Sequence, residues 1–173
     1  MLDGKRRALL DKMVMAFQPI VYKNGESCFG LEALVANVQM LEYASVADLL
    51  DEVERESFLF PFVVEMIKLV LEKASSIPSE LRPNLFINID NRIFSHPEVL
   101  WAAEMDESEK FNLKGTSICF EISEQNRFSY AQLKRCQEVW SQKGIQLAID
   151  DFGTGISGLE LLYHSNPDFL KID

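Results

Sequence analysis

The stretch "IQLAIDDFGTGISGLELL", residues 145–162, joins an apolar run to a glycine-rich turn through two adjacent aspartates, Asp150 and Asp151. Like charges repel, and a carboxylate at the end of a buried run loses solvation. One Asp before such a turn is explained by a local side-chain to backbone bond. A second needs another reason.

Outward from this stretch, the chain divides into short strands and helices. "IQLAID" reads as a strand. Before it, Ser129 and Gln132 form a capping box that opens the helix "YAQLKRCQEVWSQK", and Gly144 is its stop. After it come a short helix, "SGLELLYH", and a last strand, "DFLKID". Upstream, "NLFINID" and "TSICFEIS" are strands. "FLFPFVVEMIKLVLEKA" is a helix with Pro61 in its first turn, where proline is tolerated. "SVADLLDEVERE" places Val46, Leu49, Leu50 and Val53 at helical spacing behind Ser45 as N-cap. In "AFQPIVYKNGESCFGLEAL" two apolar runs flank Asn24-Gly25, a hairpin signal. Strands alternating with helices predict a parallel sheet covered by helices, and the hairpin predicts one strand running against the rest.

Side chains along a strand alternate faces with a period of two. Ile145, Leu147 and Ile149 therefore oppose Gln146, Ala148 and Asp150. Leu85, Ile87 and Ile89 oppose Phe86, Asn88 and Asp90; Phe120 and Ile122 oppose Cys119, Glu121 and Ser123. Leu170 and Ile172 oppose Phe169, Lys171 and Asp173; Phe29, Leu31 and Ala33 oppose Cys28, Gly30 and Glu32. Each strand has an aliphatic face suited to packing under helices. Each opposite face carries a polar group toward its C-terminal end. Glu32, Asn88, Glu121, Asp150 and Lys171 are thus expected to converge at one end of a barrel interior or sheet; in barrels of parallel strands that C-terminal end is where chemistry sits. Carboxylate and amide oxygens are hard ligands, suited to Mg²⁺ or Mn²⁺ rather than zinc. Cations would neutralise both aspartates: Asp150 points inward, and Asp151 swings to the same cluster from the first turn position. Two cations roughly 4 Å apart sharing ligands is an arrangement used for phosphoryl chemistry.

Composition narrows the partners. The chain has 173 residues, 47% hydrophobic and 25% charged, a normal soluble domain. A formal net charge of -10 argues against a DNA or RNA polymer as partner, though not against an anionic ligand held through cations. Three cysteines (Cys28, Cys119, Cys136) make no disulfide framework, which points to a reducing compartment. No signal peptide or membrane-length apolar run is found, so a cytoplasmic location is expected. The "DFG" triplet lacks the glycine-rich loop, strand lysine and catalytic-loop motif of a protein kinase.

With these motifs in place, the chain from about Phe17 to Asp173 resembles the EAL domain, the family of cyclic di-GMP phosphodiesterases. "FQPIV" is similar to the family's opening strand, and "GLEALVA" holds the signature itself at Glu32, Ala33 and Leu34. "INID", "FEISE", "IDDFGTGISGLELL" and "FLKID" resemble its asparagine, glutamate, aspartate-pair and lysine segments. The resemblance implies a TIM-type (β/α) barrel with one antiparallel strand. It implies that Glu32, Asn88, Glu121 and Asp150 ligate metal, with Asp151 on a second cation. Lys171 would position or activate the attacking water, and Glu124 would steady the loop after the aspartate pair. Gln18, Leu34 and Asp173 would line the substrate cleft. The implied reaction is water attack on one phosphodiester of cyclic di-GMP, giving linear pGpG.

Two features depart from the family pattern. The arginine that usually follows two residues after the signature leucine is Ala36 here, which makes no charge-assisted contact with phosphate. Arg92 and Arg127 are expected in solvated loops. A full barrel of this type takes about 250 residues, and the chain reaches only its sixth strand. It is therefore expected to be a single EAL-like domain over 1–173, C-terminally incomplete, without linker or second domain. An open sheet with an interior lined by Phe86, Cys119 and Phe169 is expected to self-associate, as a homodimer or larger species. Two functions follow: a weakly active or inactive phosphodiesterase, or a non-catalytic module that binds cyclic di-GMP or a protein partner.

Overall fold

The computed structural model describes residues 4–25, 27–100, 111, 113–123, 128–153 and 158–172. Its strands are β1 (Met15–Val21), β2 (Cys28–Val35), β3 (Asn84–Asn88), β4 (Ser117–Ser123), β5 (Gln146–Phe152) and β6 (Phe169–Ile172). They form one sheet in chain order. β1 is antiparallel to β2, and all later neighbours are parallel. The result is a curled half of a TIM-type barrel, as the alternation of elements predicts.

The described helices are α1 (Gly4–Lys12), α2 (Val46–Arg55), α3 (Leu59–Ser75), α4 (Tyr130–Gln142) and α5 (Gly158–His164). α2 starts where expected, with Ser45 Oγ accepting from the Asp48 amide at 3.1 Å. α4 starts on Ser129, whose hydroxyl accepts from the Gln132 amide, and Gly144 follows it at φ 70°. Only this half of the expected capping box forms: Gln132 Oε1 is buried with no partner among the described residues. α1 is an addition to the sequence reading. It buries Leu10, and Met13 just after it, in the core. Asn37 holds its exit: Nδ2 donates to Lys12 O and Oδ1 accepts from Val14 N, both at 2.8 Å.

The main core lies between sheet and helices. Leu85, Ile87, Ile122, Leu147 and Ile149 are fully buried against Phe62 and Ala74 of α3 and Leu133 and Cys136 of α4. Each Leu, Ile or Phe side chain buried here contributes about 1.5–3 kcal/mol. A second, small cluster fills the concave side: Phe86, Cys119 and Ala148, with Ile20, Phe29 and Phe169 packed on it.

Three expectations need correction. Phe29 lies on the concave side, not under helices, with its ring 5.6 Å from Phe169 and 6.0 Å from Phe86. The cause is a β-bulge: Ile20 pairs with Gly30 and Val21 with Cys28, so Phe29 is the extra residue and the parity of this end reverses. On β6 the aliphatic face is not covered, for Leu170 and Ile172 are 44% and 79% exposed at the sheet edge. β3 stops at Asn88 rather than Asp90, because the Asp90 carboxylate accepts from the Arg92 amide and caps a 3-10 turn over Asn91–Ser95. None of the described helices is long and apolar enough to cross a membrane.

Candidate metal centre and cleft

The period-two alternation brings five strands' polar groups to one place. Lys171 Nζ lies 2.9 Å from Glu32 Oε2, 2.8 Å from Glu121 Oε1 and 3.1 Å from Asp150 Oδ1. Asn88 Nδ2 donates to Glu32 Oε1 at 3.3 Å. One oxygen from each of Glu32, Glu121 and Asp150 lies within 4.8 Å of the others. Glu32, Asn88, Glu121, Asp150 and Lys171 are thus brought together at the C-terminal ends of the parallel strands.

Burial separates these groups. Glu121 is wholly buried, and burial pushes its carboxyl up to about 7 despite the nearby Lys171 ammonium, with Glu32 and Asp150 adding to the rise. Burial works against the ammonium of Lys171 too. The close contacts with the carboxylates of Glu121 and Glu32, reinforced by Asp150, outweigh it and hold this lysine above the ordinary range. Although Lys171 Nζ is 2.8 Å from Glu121, neither Glu121 oxygen accepts a well-aligned hydrogen bond among the described residues. The contact is an ion pair that leaves acceptor capacity on a fully buried carboxylate. With the partly exposed carboxylates of Glu32 and Asp150 and the amide oxygen of Asn88, this carboxylate makes a donor set that suits a hard divalent cation.

The aspartate pair has a structural explanation. The β5–β6 ladder runs from Ile149 opposite Leu170 to Phe152 opposite Ile172. Two residues, Asp150 and Asp151, therefore face the single Lys171. The bulge points Asp150 into the cluster and sets Asp151 in the left-handed region, at φ 52°, exposed. Asp151 is not one of the three carboxylates that gather, so the structure does not bring it in as expected.

A cleft of about 500 Å³ runs from Glu32, Asn88 and Asp150, past Leu34, to Asp51 and Arg92. Gln18 is exposed on β1, its Cα opposite Glu32. Arg92 is not solvated as expected. Its Nε donates to Asp90 and its Nη1 to Asp51 of α2 at 2.7 Å, leaving the side chain 19% exposed. Asp90 in particular keeps the guanidinium firmly charged. The fully buried Asn91 donates to Ser123 O and ties the same turn to β4. Sequence reading missed this brace, although the polar run "DNR" directly after an apolar strand was its signal. Ala36 is exposed and makes only a backbone bond, to Val14 O. Glu124, Arg127 and Asp173 lie outside the described residues.

The profile of the EAL domain matches residues 5–173. Among curated proteins, the chain is 26% identical to the probable cyclic di-GMP phosphodiesterase PdeG of Escherichia coli, over 97% of this chain and 34% of that protein. It therefore spans about a third of that relative's length. Among solved structures, the EAL enzyme Bd1971 bound to cAMP and cyclic-di-GMP superposes with a TM-score of 0.74 at 28% identity, over 98% of this chain and 48% of that one. The manganese/cy-diGMP complex of Klebsiella pneumoniae BlrP1 gives 0.72 at 26% identity, over 93% and 40%.

Proposed function

The chain belongs to the EAL domain family, and from that premise we propose that its carboxylate cluster is the centre of a metal-dependent cyclic di-GMP phosphodiesterase in bacterial second-messenger signalling. The observation that carries this reading is the convergence of Glu32, Glu121 and Asp150, with Lys171 among them, at the C-terminal ends of the strands. Glu32, Asn88, Glu121 and Asp150 would hold Mg²⁺ or Mn²⁺, and Asp151 would serve a second ion. A divalent ion there supplies acidification of water and neutralisation of charge on phosphoryl oxygens.

The chain's own groups do the rest. The net charge of -10 and the acidic cluster repel a phosphodiester, so the ligand approaches only where cations reverse the local field. Lys171 orients the attacking water or meets a phosphoryl oxygen. Gln18, Leu34 and Asp173 flank the ligand, and Glu124 steadies the loop that carries Asp151. The product is linear pGpG, formed in the cytoplasm.

Ala36 brings no charge to the phosphate, and the guanidinium of Arg92 is engaged by Asp51 and Asp90. Rate depends on groups that bind the transition state more tightly than the ground state, and a misplacement of about 1 Å can cost about 100-fold. The 173-residue chain by itself accordingly turns the diester over slowly or not at all. Ala36 favours a second reading, in which the domain binds cyclic di-GMP or a protein partner and transmits a signal without hydrolysis.

One experiment addresses both. The chain and Asp150→Asn are titrated with Mn²⁺, and melting temperature, cyclic di-GMP binding and pGpG formation are followed together. A Mn²⁺-dependent rise in melting temperature that Asp150→Asn abolishes is the expected result. No rise in either protein overturns the metal centre. Rapid turnover by the chain overturns the slow-turnover reading, and tight ligand binding without any turnover favours the receptor.

A further inference from the structure

Lys171 is the one cation whose contacts to Glu32, Glu121 and Asp150 are seen among the described residues, at 2.9, 2.8 and 3.1 Å. The three carboxylates themselves lie within 4.8 Å of one another. Any divalent cation ligated by those oxygens, at about 2.0–2.1 Å for Mg²⁺, enters the space the ammonium already fills. Both species are positive and both draw on the same acceptors. We propose that Lys171 is an intrinsic competitor of the divalent cation: its ammonium must withdraw before the centre loads, and it thereby sets the metal affinity. This rests on the metal-centre reading above.

The lysine's position makes withdrawal possible. Its side chain is 27% exposed, whereas that of Glu121 is fully buried. It stands on β6, the last strand in the order of the described sheet, on a flexible four-carbon stem. The buried carboxylate cannot move to water, but the ammonium can. The bulge at Asp150–Asp151 sets two β5 residues against this one β6 residue and so opens the ladder where the stem rises. Competition also has a reciprocal consequence. The group that weakens metal binding holds the metal-free protein together, because without it three clustered carboxylates face one another with no counter-charge.

The test uses the whole chain, with Mn²⁺ as probe. Lys171→Met keeps an unbranched, flexible side chain one atom shorter and removes its charge. It should melt lower than the parent in chelator and bind Mn²⁺ more tightly, by about tenfold or more on the scale of such charge contacts. Simple repulsion without displacement would also tighten binding, so a second readout is needed. Brief acetylation of the unmodified chain, followed by peptide mass spectrometry, reports how available the Lys171 amine is. Saturating Mn²⁺ should raise its labelling several-fold relative to Lys73 on α3. Unchanged or reduced labelling overturns displacement, as does Mn²⁺ affinity in Lys171→Met that is equal to or weaker than the parent's. Should that variant fail to fold without metal, the labelling result decides alone. If neither protein binds Mn²⁺, it is the metal centre that fails.

Discussion

Glu121 is the residue on which the cluster's physical behaviour turns. It is fully buried, and burial raises its carboxyl to about 7. A carboxyl whose folded pKa lies above its unfolded value binds more protons in the folded state between the two. Its contribution to stability is then fully present below the unfolded value of about 4.3 and is lost as pH rises through about 7. In chelator, stability should therefore fall between pH 5 and pH 7 more steeply for the parent than for Glu121→Gln, measured by urea unfolding at fixed ionic strength. Parallel slopes would show that the carboxyl is already ionised at pH 5. The alternation that places this residue inward was legible in "CFEIS". Its rise was not, because it comes from the depth of burial between β3 and β5.

At the scale of elements, the brace from the turn after β3 to α2 decides how the cleft wall is held. Arg92 joins Asp90, whose side chain is 5% exposed, to Asp51, which is 70% exposed. The two pairs should differ in worth. Removing one partner of a buried pair strands the other charge, at a cost of about 3 kcal/mol or more, while an exposed pair contributes about 0–1 kcal/mol. Arg92→Met is accordingly expected to destabilise strongly and Asp51→Asn hardly at all, in urea unfolding at neutral pH. Equal effects would mean that the link to α2, rather than the burial of Asp90, holds the turn. The local half of this brace, Asp90 beside Arg92, was marked by the run "DNR"; its other partner, Asp51, lies 41 residues away in sequence, beyond any local pattern.

For the whole molecule, the two outer edges of the described sheet are unequal. β1 carries Pro19, which has no amide to donate to a further strand. β6 has an open edge beside the exposed Leu170 and Ile172. An edge of this kind is a template for pairing. We expect the 173-residue chain to self-associate through β6, more so at high salt, which screens its net charge of -10. Light scattering that gives a single mass near 19.8 kDa at high concentration and high salt would exclude this.

The sequence by itself determined which residues meet at the centre. "GLEA", "INID", "FEIS", "AIDD" and "LKID" each place a polar side chain on one face, and a period of two needs only the strand to be a strand. It also determined the hairpin, the parallel order and the helix starts at Ser45 and Ser129, since turn and cap chemistry is local. Only the tertiary structure decided where that alternation breaks. The bulge beside Ile20 sends Phe29 to the concave side, and the bulge at Asp150–Asp151 points one aspartate inward and the other to solvent. It alone decided that α1 forms and docks through Asn37, and that Arg92 is shared between a turn and a helix. A bulge is a mismatch in count between two strands, and a brace is a meeting of distant segments. Both are properties of pairs, which no single stretch of chain contains.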